Sequence, residues 1–393
     1  MTETNAVRPA AAPDRGGERA APRAAAERIP FIDAARGLAM FGVVVMNALM
    51  FVVAAEHLGE APAGPVGSAL EFALQMLFGG KARALLMLLL GMGVVFAWRS
   101  AERRGDRPMA RMAVRYAVLL VVFGLGHLAV FEGDILTHYA TVALLLAPAV
   151  PLLLGGARRR PLAAAAALFA VHPFVEAYWP WSQDVAAFTV LVPQTLGFFC
   201  VGIWLARREE TGEPERPTRL PAALVGAGLA GQLAGVGLML LGDALFPLVL
   251  DAGGVPEPPV PAATALTGLA GTVTGLGGGL FYLGLVWWLM RRGRTAARLL
   301  GALVPLGRMS LTVYLLSTAL FLAVLLPYDG RVTVAWQLTA AFGYFAVMAV
   351  AAPLWLRRFR AGPLEWVWRC LVYRRMLPLR RTPARRPGPA GRG

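Results

Sequence analysis

The chain has 393 residues and a formal net charge of +15, from 38 Lys+Arg against 23 Asp+Glu, yet only 16% of it is charged and 57% is apolar. Its mean hydropathy is +0.59. A soluble domain carries about 25% charged residues, so composition excludes an ordinary water-soluble protein. The placement of the arginines excludes a nucleic-acid surface as the reason for the charge. All but Lys81, Arg83, Arg308 and Arg331 fall in the stretches 1–36, 99–115, 158–160, 207–219, 291–298 and 357–393. The connections between them, near 56–68, 132–138, 173–184, 243–262 and 327–332, hold one basic residue, Arg331. That alternation follows the positive-inside rule. It predicts an all-α polytopic membrane protein with about ten transmembrane helices and both termini cytoplasmic.

In chain order, residues 1–28 are rich in Ala, Pro, Arg and Glu without an apolar run, and read as a disordered cytoplasmic tail. A transmembrane helical domain is expected over 29–356. Its spans are 34–55, 72–98, 113–131, 135–155, 161–179, 186–205, 222–243, 264–290, 302–326 and 333–356. Each is long enough for a hydrocarbon core of about 30 Å, and backbone satisfaction in lipid makes them helices. The second is interrupted by Gly79-Gly80-Lys81-Ala82-Arg83. It is either a kinked helix or a short surface helix running into a shorter span. The fifth ends in Tyr178, Trp179 and Trp181, suited to the outer headgroup level, and Trp287-Trp288 suits the inner one. The eighth carries Gly268, Gly271, Gly275 and Gly277-Gly278-Gly279. It lacks the Lys-Ser/Thr of a phosphate loop, so close helix packing through small residues is the ordinary reading. Residues 357–381 mix Trp, Leu, Val and Arg and read as a cytoplasmic interfacial amphipathic segment. Residues 382–393 read as a second disordered tail. Cys200 and Cys370 lie far apart in sequence, and no disulfide or metal-ligand spacing follows.

Polar groups inside or beside spans are costly, and they form two clusters. At the inner end of the first span, Asp33 and Arg36 lie three residues apart on one helix face and can pair. Asn47 lies about three turns further along nearly the same face. The plain reading is a helix cap beside an arginine at the phosphate level. The functional one is a site for a phosphate-bearing group. Toward the outer face, His127 closes the third span, Glu132-Gly133-Asp134 makes a short turn, and His138-Tyr139 opens the fourth. Lys81 and Arg83 lie toward the outer half of the second. An imidazole beside a carboxylate is the usual base-plus-orienter pair, whereas a lone membrane His is often an interhelical hydrogen-bond donor. Gln194, Arg308, Tyr314, Glu365 and Arg369 complete the polar set.

The segment Arg28-Ile29-Pro30-Phe31-Ile32-Asp33-Ala34-Ala35-Arg36-Gly37 with Asn47 is the first part of a recognisable pattern. It continues with Gly80-Lys81-Ala82-Arg83, Leu90-Gly91-Met92-Gly93, Gly124-Leu125-Gly126-His127, Gly133-Asp134-Ile135-Leu136 and Tyr139-Ala140. It closes with Gly307-Arg308-Met309-Ser310-Leu311-Thr312, Tyr314, and Gly362-Pro363-Leu364-Glu365-Trp366 with Arg369. In this order the pieces resemble the YeiB-like family of bacterial membrane proteins, domain of unknown function 418. The resemblance implies a multi-pass protein of the bacterial plasma (inner) membrane. The family's first helix is similar to those of two groups of membrane acyltransferases. One O-acylates sugars and envelope polymers; the other is the heparan-alpha-glucosaminide N-acetyltransferase type. Where the O-acylating family has a catalytic His, this chain has Asn47, which cannot act as a general base.

The resemblance therefore implies an acyltransferase-like enzyme in which His127 is the base, Asp134 its orienter, and Lys81 or Tyr139 the oxyanion stabiliser. Asp33, Arg36, Asn47, Arg83, Arg308, Tyr314, Glu365 and Arg369 are the expected donor- and substrate-binding residues. The partners expected are the lipid bilayer, an acyl-CoA-type donor acting as co-substrate with no bound cofactor, and an envelope glycan, lipid or small-molecule acceptor. The rival class is a proton-coupled transporter or exporter of a small molecule or lipid, since intramembrane His, Asp, Lys and Arg with Gly-broken helices also suit translocation.

Overall fold

The computed structural model describes residues 29–53, 65–131, 133–178, 191–208, 218–250, 257, 259–324 and 333–381. The expectations for both tails, for Glu132, Trp179 and Trp181, and for Arg331 lie outside them. The helices in chain order are α1 (Pro30–Val53), α2 (Pro65–Phe78), α3 (Lys81–Arg103), α4 (Pro108–Leu128), α5 (Leu136–Leu154), α6 (Arg160–Tyr178), α7 (Val192–Ala206), α8 (Leu220–Leu245), α9 (Pro261–Arg292), α10 (Arg294–Gly301), α11 (Val304–Arg308), α12 (Ser310–Val324), α13 (Val334–Arg358) and α14 (Pro363–Tyr373). Eight segments among the described residues, counting α2 and α3 together, are long and apolar enough to cross a membrane. The shorter apolar helices α7 and α12 fall where the remaining two spans were expected. The protein is a helical multi-pass membrane protein.

Helices in lipid gain nothing from burying apolar surface against one another, so close approach through small residues decides which of them meet. α1 runs through the middle of the bundle, against α3, α9, α11, α12 and α13. At its N-terminal end a Cβ on Gly37 would strike the Leu303 carbonyl, and one on Gly307 would strike the Asp33 carbonyl. The backbones of α1 and α11 therefore touch directly. α3 meets α7 in the same way, Gly91 against Phe199 and Gly202 against the Leu88 carbonyl. The glycines of α9 are contact points too. Gly277 faces the backbone of Gly228 and Gln232 on α8, and Gly279 lies 3.1 Å from the Leu85 nitrogen by its would-be Cβ. This accounts for the glycine-rich run without any phosphate loop. Phe31 of α1 stacks on Trp287 of α9 with ring centroids 4.5 Å apart.

Three local features depart from straight spans. The expected second span is two helices. Gly80, at φ 67, turns the chain between α2 and α3, a left-handed conformation that favours glycine. α4 carries a six-residue π-helical stretch, Leu119–Gly124, just before His127; such widenings are frequent at functional sites. The expected single helix over 302–326 is broken. α11 ends at Arg308, and Met309 leaves helical geometry at φ −114, ψ 27 before α12 starts. Glu365 explains how the new helix start is satisfied: its carboxylate accepts the backbone N–H of Leu311 at 2.7 Å and of Thr312 at 3.1 Å. These are orphan donors of the first turn of α12.

Candidate functional site: two cavities that meet at Tyr139

The outer group is built around the start of α5. Asp134 precedes that helix and caps it, accepting the N–H of Leu136 on Oδ1 at 3.0 Å and of Thr137 on Oδ2 at 2.7 Å. The end of α4 brings His127 against it, Nδ1 to Oδ1 at 2.6 Å. The other ring nitrogen meets the Thr318 hydroxyl of α12 at 2.9 Å. Both side chains are buried. With Nδ1–H donating to the carboxylate, a neutral ring accepts from Thr318 through Nε2. The expected pair therefore exists. The turn that carries Asp134 lines a cavity of about 530 Å³ and His127 does not. The carboxylate itself is fully buried, its oxygens taken by His127 and by the start of α5.

That cavity is walled by Val43, Met46 and Asn47 of α1, Gln75 and Phe78 of α2, Ala82 and Arg83 of α3, the Gly133–Ile135 turn, His138 and Tyr139 of α5, and Leu191. Two of its polar groups are orphans. Asn47 Nδ2 and the Tyr139 hydroxyl are buried, in residues 4% and 3% exposed, and have no hydrogen-bond partner. His138 Nε2 meets the Thr195 hydroxyl at 2.8 Å. Arg83 is anchored from behind: its Nη2 donates to Gln194 Oε1 at 2.9 Å, and Gln194 Nε2 donates to the Thr272 hydroxyl at 2.9 Å. His172 lies 3.3 Å from both Gln194 Nε2 and Glu176 Oε2, so a buried polar group of α6, α7 and α9 backs the guanidinium.

A second cavity, of about 230 Å³, opens on the basic side of the bundle. Four arginines line it: Arg36 of α1, Arg115 of α4, Arg308 of α11 and Arg369 of α14. Arg36 pairs with Asp33 at 3.3 Å. Arg115 lies 4.1 Å over the Trp368 ring, whose Nε1 donates to the Arg115 carbonyl at 3.2 Å. Glu365 is the one acid in the wall. Its carboxylate is taken by Leu311, Thr312 and the Thr312 hydroxyl, the last at 2.6 Å. Burial pushes its carboxyl above the usual carboxylate range, against the pull of those hydrogen bonds. The far end of this cavity is Tyr314, Ile135 and Tyr139. Tyr314 accepts the Ile135 N–H at 3.2 Å and its ring lies 4.9 Å from that of His127. Ile135 and Tyr139 line both cavities.

Of the expected catalytic residues, the structure brings His127, Asp134 and Tyr139 together and sends Lys81 elsewhere. The Lys81 side chain lies on Gly278 of α9 and its ammonium donates to the Met76 carbonyl at 2.6 Å. Its helix position suggested a view of His127, but it is the first residue of α3 and caps the carbonyls of α2. Of the expected binding residues, Asn47 and Arg83 go to the outer cavity. Arg36, Arg308, Tyr314, Glu365 and Arg369 go to the inner one, with Asp33 beside Arg36. Sequence reading missed Arg115 and Trp368. Arg115 was visible as the last residue of a basic stretch that already lay inside the span expected at 113–131. Thr318, one more neutral hydroxyl in an apolar helix, carried no signal.

Residues 223–375, from α8 to just past α14, match the family model described as "Protein of unknown function (DUF418)". Over this segment the chain is similar to the DUF418 family. Two relatives extend the likeness over the whole length. The "Uncharacterized 39.9 kDa protein in amylase 3'region" of Bacillus acidopullulyticus is 26% identical over 390 residues, covering 91% of this chain and 97% of its own. The "Uncharacterized protein YxaH" of Bacillus subtilis (strain 168) is 26% identical over 417 residues, covering 90% and 96%. The DUF418 match takes in Arg308, Tyr314, Glu365 and Arg369 of the inner cavity. The residues of the outer cavity lie outside that matched segment.

Proposed function

We propose that this protein is a membrane acyltransferase-like enzyme. It would pass an acyl group from a cytoplasmic, phosphate-bearing donor of the acyl-CoA type to an acceptor held in the outer cavity. The observation that carries the reading is a pair of cavities that share Ile135 and Tyr139 in their walls, one lined by four arginines and the other by unpartnered donors. Guanidinium groups suit phosphate bidentately, so Arg36, Arg115, Arg308 and Arg369 hold the anionic end of the donor. Its acyl carbonyl then points toward Tyr139. The acceptor's hydroxyl oxygen attacks that carbonyl carbon, its proton passing to the Asp134–His127 pair. The C–S bond of the thioester breaks and the thiolate leaves toward the inner cavity. Tyr139 donates to the carbonyl oxygen as it gains charge. His127 holds Asp134 in place and takes up part of the proton's charge. The Arg asymmetry supports a cytoplasmic inner cavity, and the likeness to Bacillus proteins supports localisation in the bacterial inner membrane.

The test uses purified protein in lipid nanodiscs with acetyl-CoA carrying a labelled acyl group. Release or transfer of label that falls to background in both Arg115→Ala and Asp134→Asn is the expected result. Absence of thioester binding and turnover with every acceptor lipid, glycan and amine offered would sink the reading. Cavities approaching from both faces also suit a carrier. Solute flux into liposomes without thioester turnover would select that alternative, the proton-coupled transporter. For sidedness, a Cys placed at Gly254 should label from outside intact cells and one at Arg392 should not.

A further inference from the structure

The outer cavity has one wall unlike the rest. Its α1, α3 and α5 sides are core helices, whereas its remaining side is the last turn of α2, Gln75 and Phe78. α2 has a single charged residue, Glu71, and a single buried side chain, Leu74. Val66, Phe72, Met76 and Leu77 are exposed, Val66 to 81% and Phe72 to 65%. So much apolar surface on so short a helix belongs against a bilayer. The helix is joined to the bundle by a glycine pair, Gly79-Gly80, and nothing lies within 4 Å of where a Gly80 Cβ would be. Two hydrogen bonds hold its end. Tyr282 of α9 donates to the Leu77 carbonyl at 2.6 Å, and Lys81 Nζ donates to the Met76 carbonyl at 2.6 Å. A helix with few buried contacts, fixed at one end by a glycine pair, has the parts of a hinged element.

Inside, the orphan groups say what kind of ligand the cavity takes. Asn47 Nδ2 and the Tyr139 hydroxyl are donors removed from water and left unpaired. Buried polar groups are nearly always satisfied, so a ligand oxygen is the partner they lack. Arg83 is already engaged by Gln194, and Asp134, in the same wall, is held by His127 and the start of α5. The lining therefore carries one fixed charge of each sign and offers no excess charge to an ionic head. The other lining groups, Val43, Met46 and Phe78, are apolar.

Resting on the proposed transfer reaction, we infer that the outer cavity takes a membrane-borne amphiphile with an uncharged, oxygen-bearing head group, admitted sideways from the bilayer past α2. The acceptor class is thus a lipid rather than a water-soluble metabolite. The head group accepts a hydrogen bond from Asn47, and its alkyl chain leaves between α2 and α1 into the hydrocarbon.

The test reads access and needs no turnover. Cys200→Ser and Cys370→Ser supply a cysteine-free chain, and Met46→Cys, or Val43→Cys if that variant is poorly folded, places a thiol in the cavity. The protein is reconstituted into phospholipid vesicles and labelled with hexadecyl-maleimide, which stays in the bilayer, or with a sulfonated maleimide, which stays in water. The bilayer reagent should label faster. Tyr282→Phe should speed it about fivefold, the change in an open population expected from losing one net hydrogen bond. Monoolein should protect the thiol and hexadecane should not, and Asn47→Leu should remove the protection. Labelling only from water, or an unchanged rate in Tyr282→Phe, overturns lateral admission. Equal protection by hexadecane overturns the head-group assignment. A water-fed cavity in a protein that still turns over thioester would refute this inference and leave the transfer reading standing.

Discussion

The inner and outer cavities are made from opposite materials. The inner one is lined by four guanidiniums with one acid, and that acid is committed to the backbone of α12. The outer one has one residue of each sign in its wall, both already hydrogen-bonded, and leaves two uncharged donors without partners. An excess of one charge sign attracts an ion and holds it loosely in many poses. Unpaired donors at fixed positions select a particular oxygen atom and contribute nothing until it arrives. The contrast suits a site that captures an anionic carrier on one side and aligns a neutral acceptor on the other.

The most severe way to break the comparison is at the backbone contact beneath the inner arginines. Gly307→Val would drive a side chain into the Asp33 carbonyl. Overpacking costs about 1–3 kcal/mol where side chains can yield, and here the obstacle is main chain. Loss of a monodisperse peak in detergent is the expected outcome, with Gly293→Val, which meets nothing within 4 Å, as the tolerated control. Next comes the His127–Asp134 pair. His127→Ala leaves a buried carboxylate with only backbone donors, a loss of about 3 kcal/mol by the usual scale for breaking buried pairs. Detergent melting should fall clearly. A variant that melts like the parent would show that the pair does not hold the α4–α5 turn.

Smaller effects separate the two cavities. Pyrophosphate should bind the purified protein at low salt, and Arg115→Ala should weaken it about tenfold, the loss expected for one charge-assisted hydrogen bond. Tyr139→Phe should leave that binding unchanged in calorimetry. The same Tyr139→Phe removes an unsatisfied buried hydroxyl, so the ligand-free protein should melt slightly higher, by about 1 kcal/mol of stability. A lower melting temperature would mean that the hydroxyl already has a partner. The smallest effect concerns Glu365. A carboxyl raised in the folded state binds its proton more tightly there than in the unfolded chain. Its favourable contribution is complete below the ordinary value of 4.5 and is lost as pH rises through the folded value. Glu365→Gln should flatten the pH dependence of melting above pH 4.5 relative to the parent.

The arginine pattern and apolar runs made the helical, multi-pass architecture readable, because lipid leaves a helix few alternatives. The short turn after His127 also made its meeting with Asp134 readable, since seven residues across a tight reversal leave little freedom. How deeply the pair is buried was not readable, because the second partner of His127 is Thr318, which lies on a distant helix. Lys81 misled for a related reason. Its distance along α3 was right, but the direction of its side chain was set by Gly278 and by the carbonyls of α2. Glu365 looked like an interfacial acid in a surface helix, and only the break at Met309, inside a segment expected as one span, gave it a helix start to cap.

The contact between α1 and α11 bears on how such a site can change. Arg36 adjoins Gly37 and Arg308 adjoins Gly307, and these glycines are the points where the two backbones touch. The spacing of that pair of charges is therefore inherited from main-chain geometry and cannot be adjusted one side chain at a time. Arg115 and Arg369 stand on helices with no such weld beside them. A lineage adapting this cavity to a bulkier or differently charged ligand would find its freedom in α4 and α14, with α1 and α11 acting as the fixed jaw.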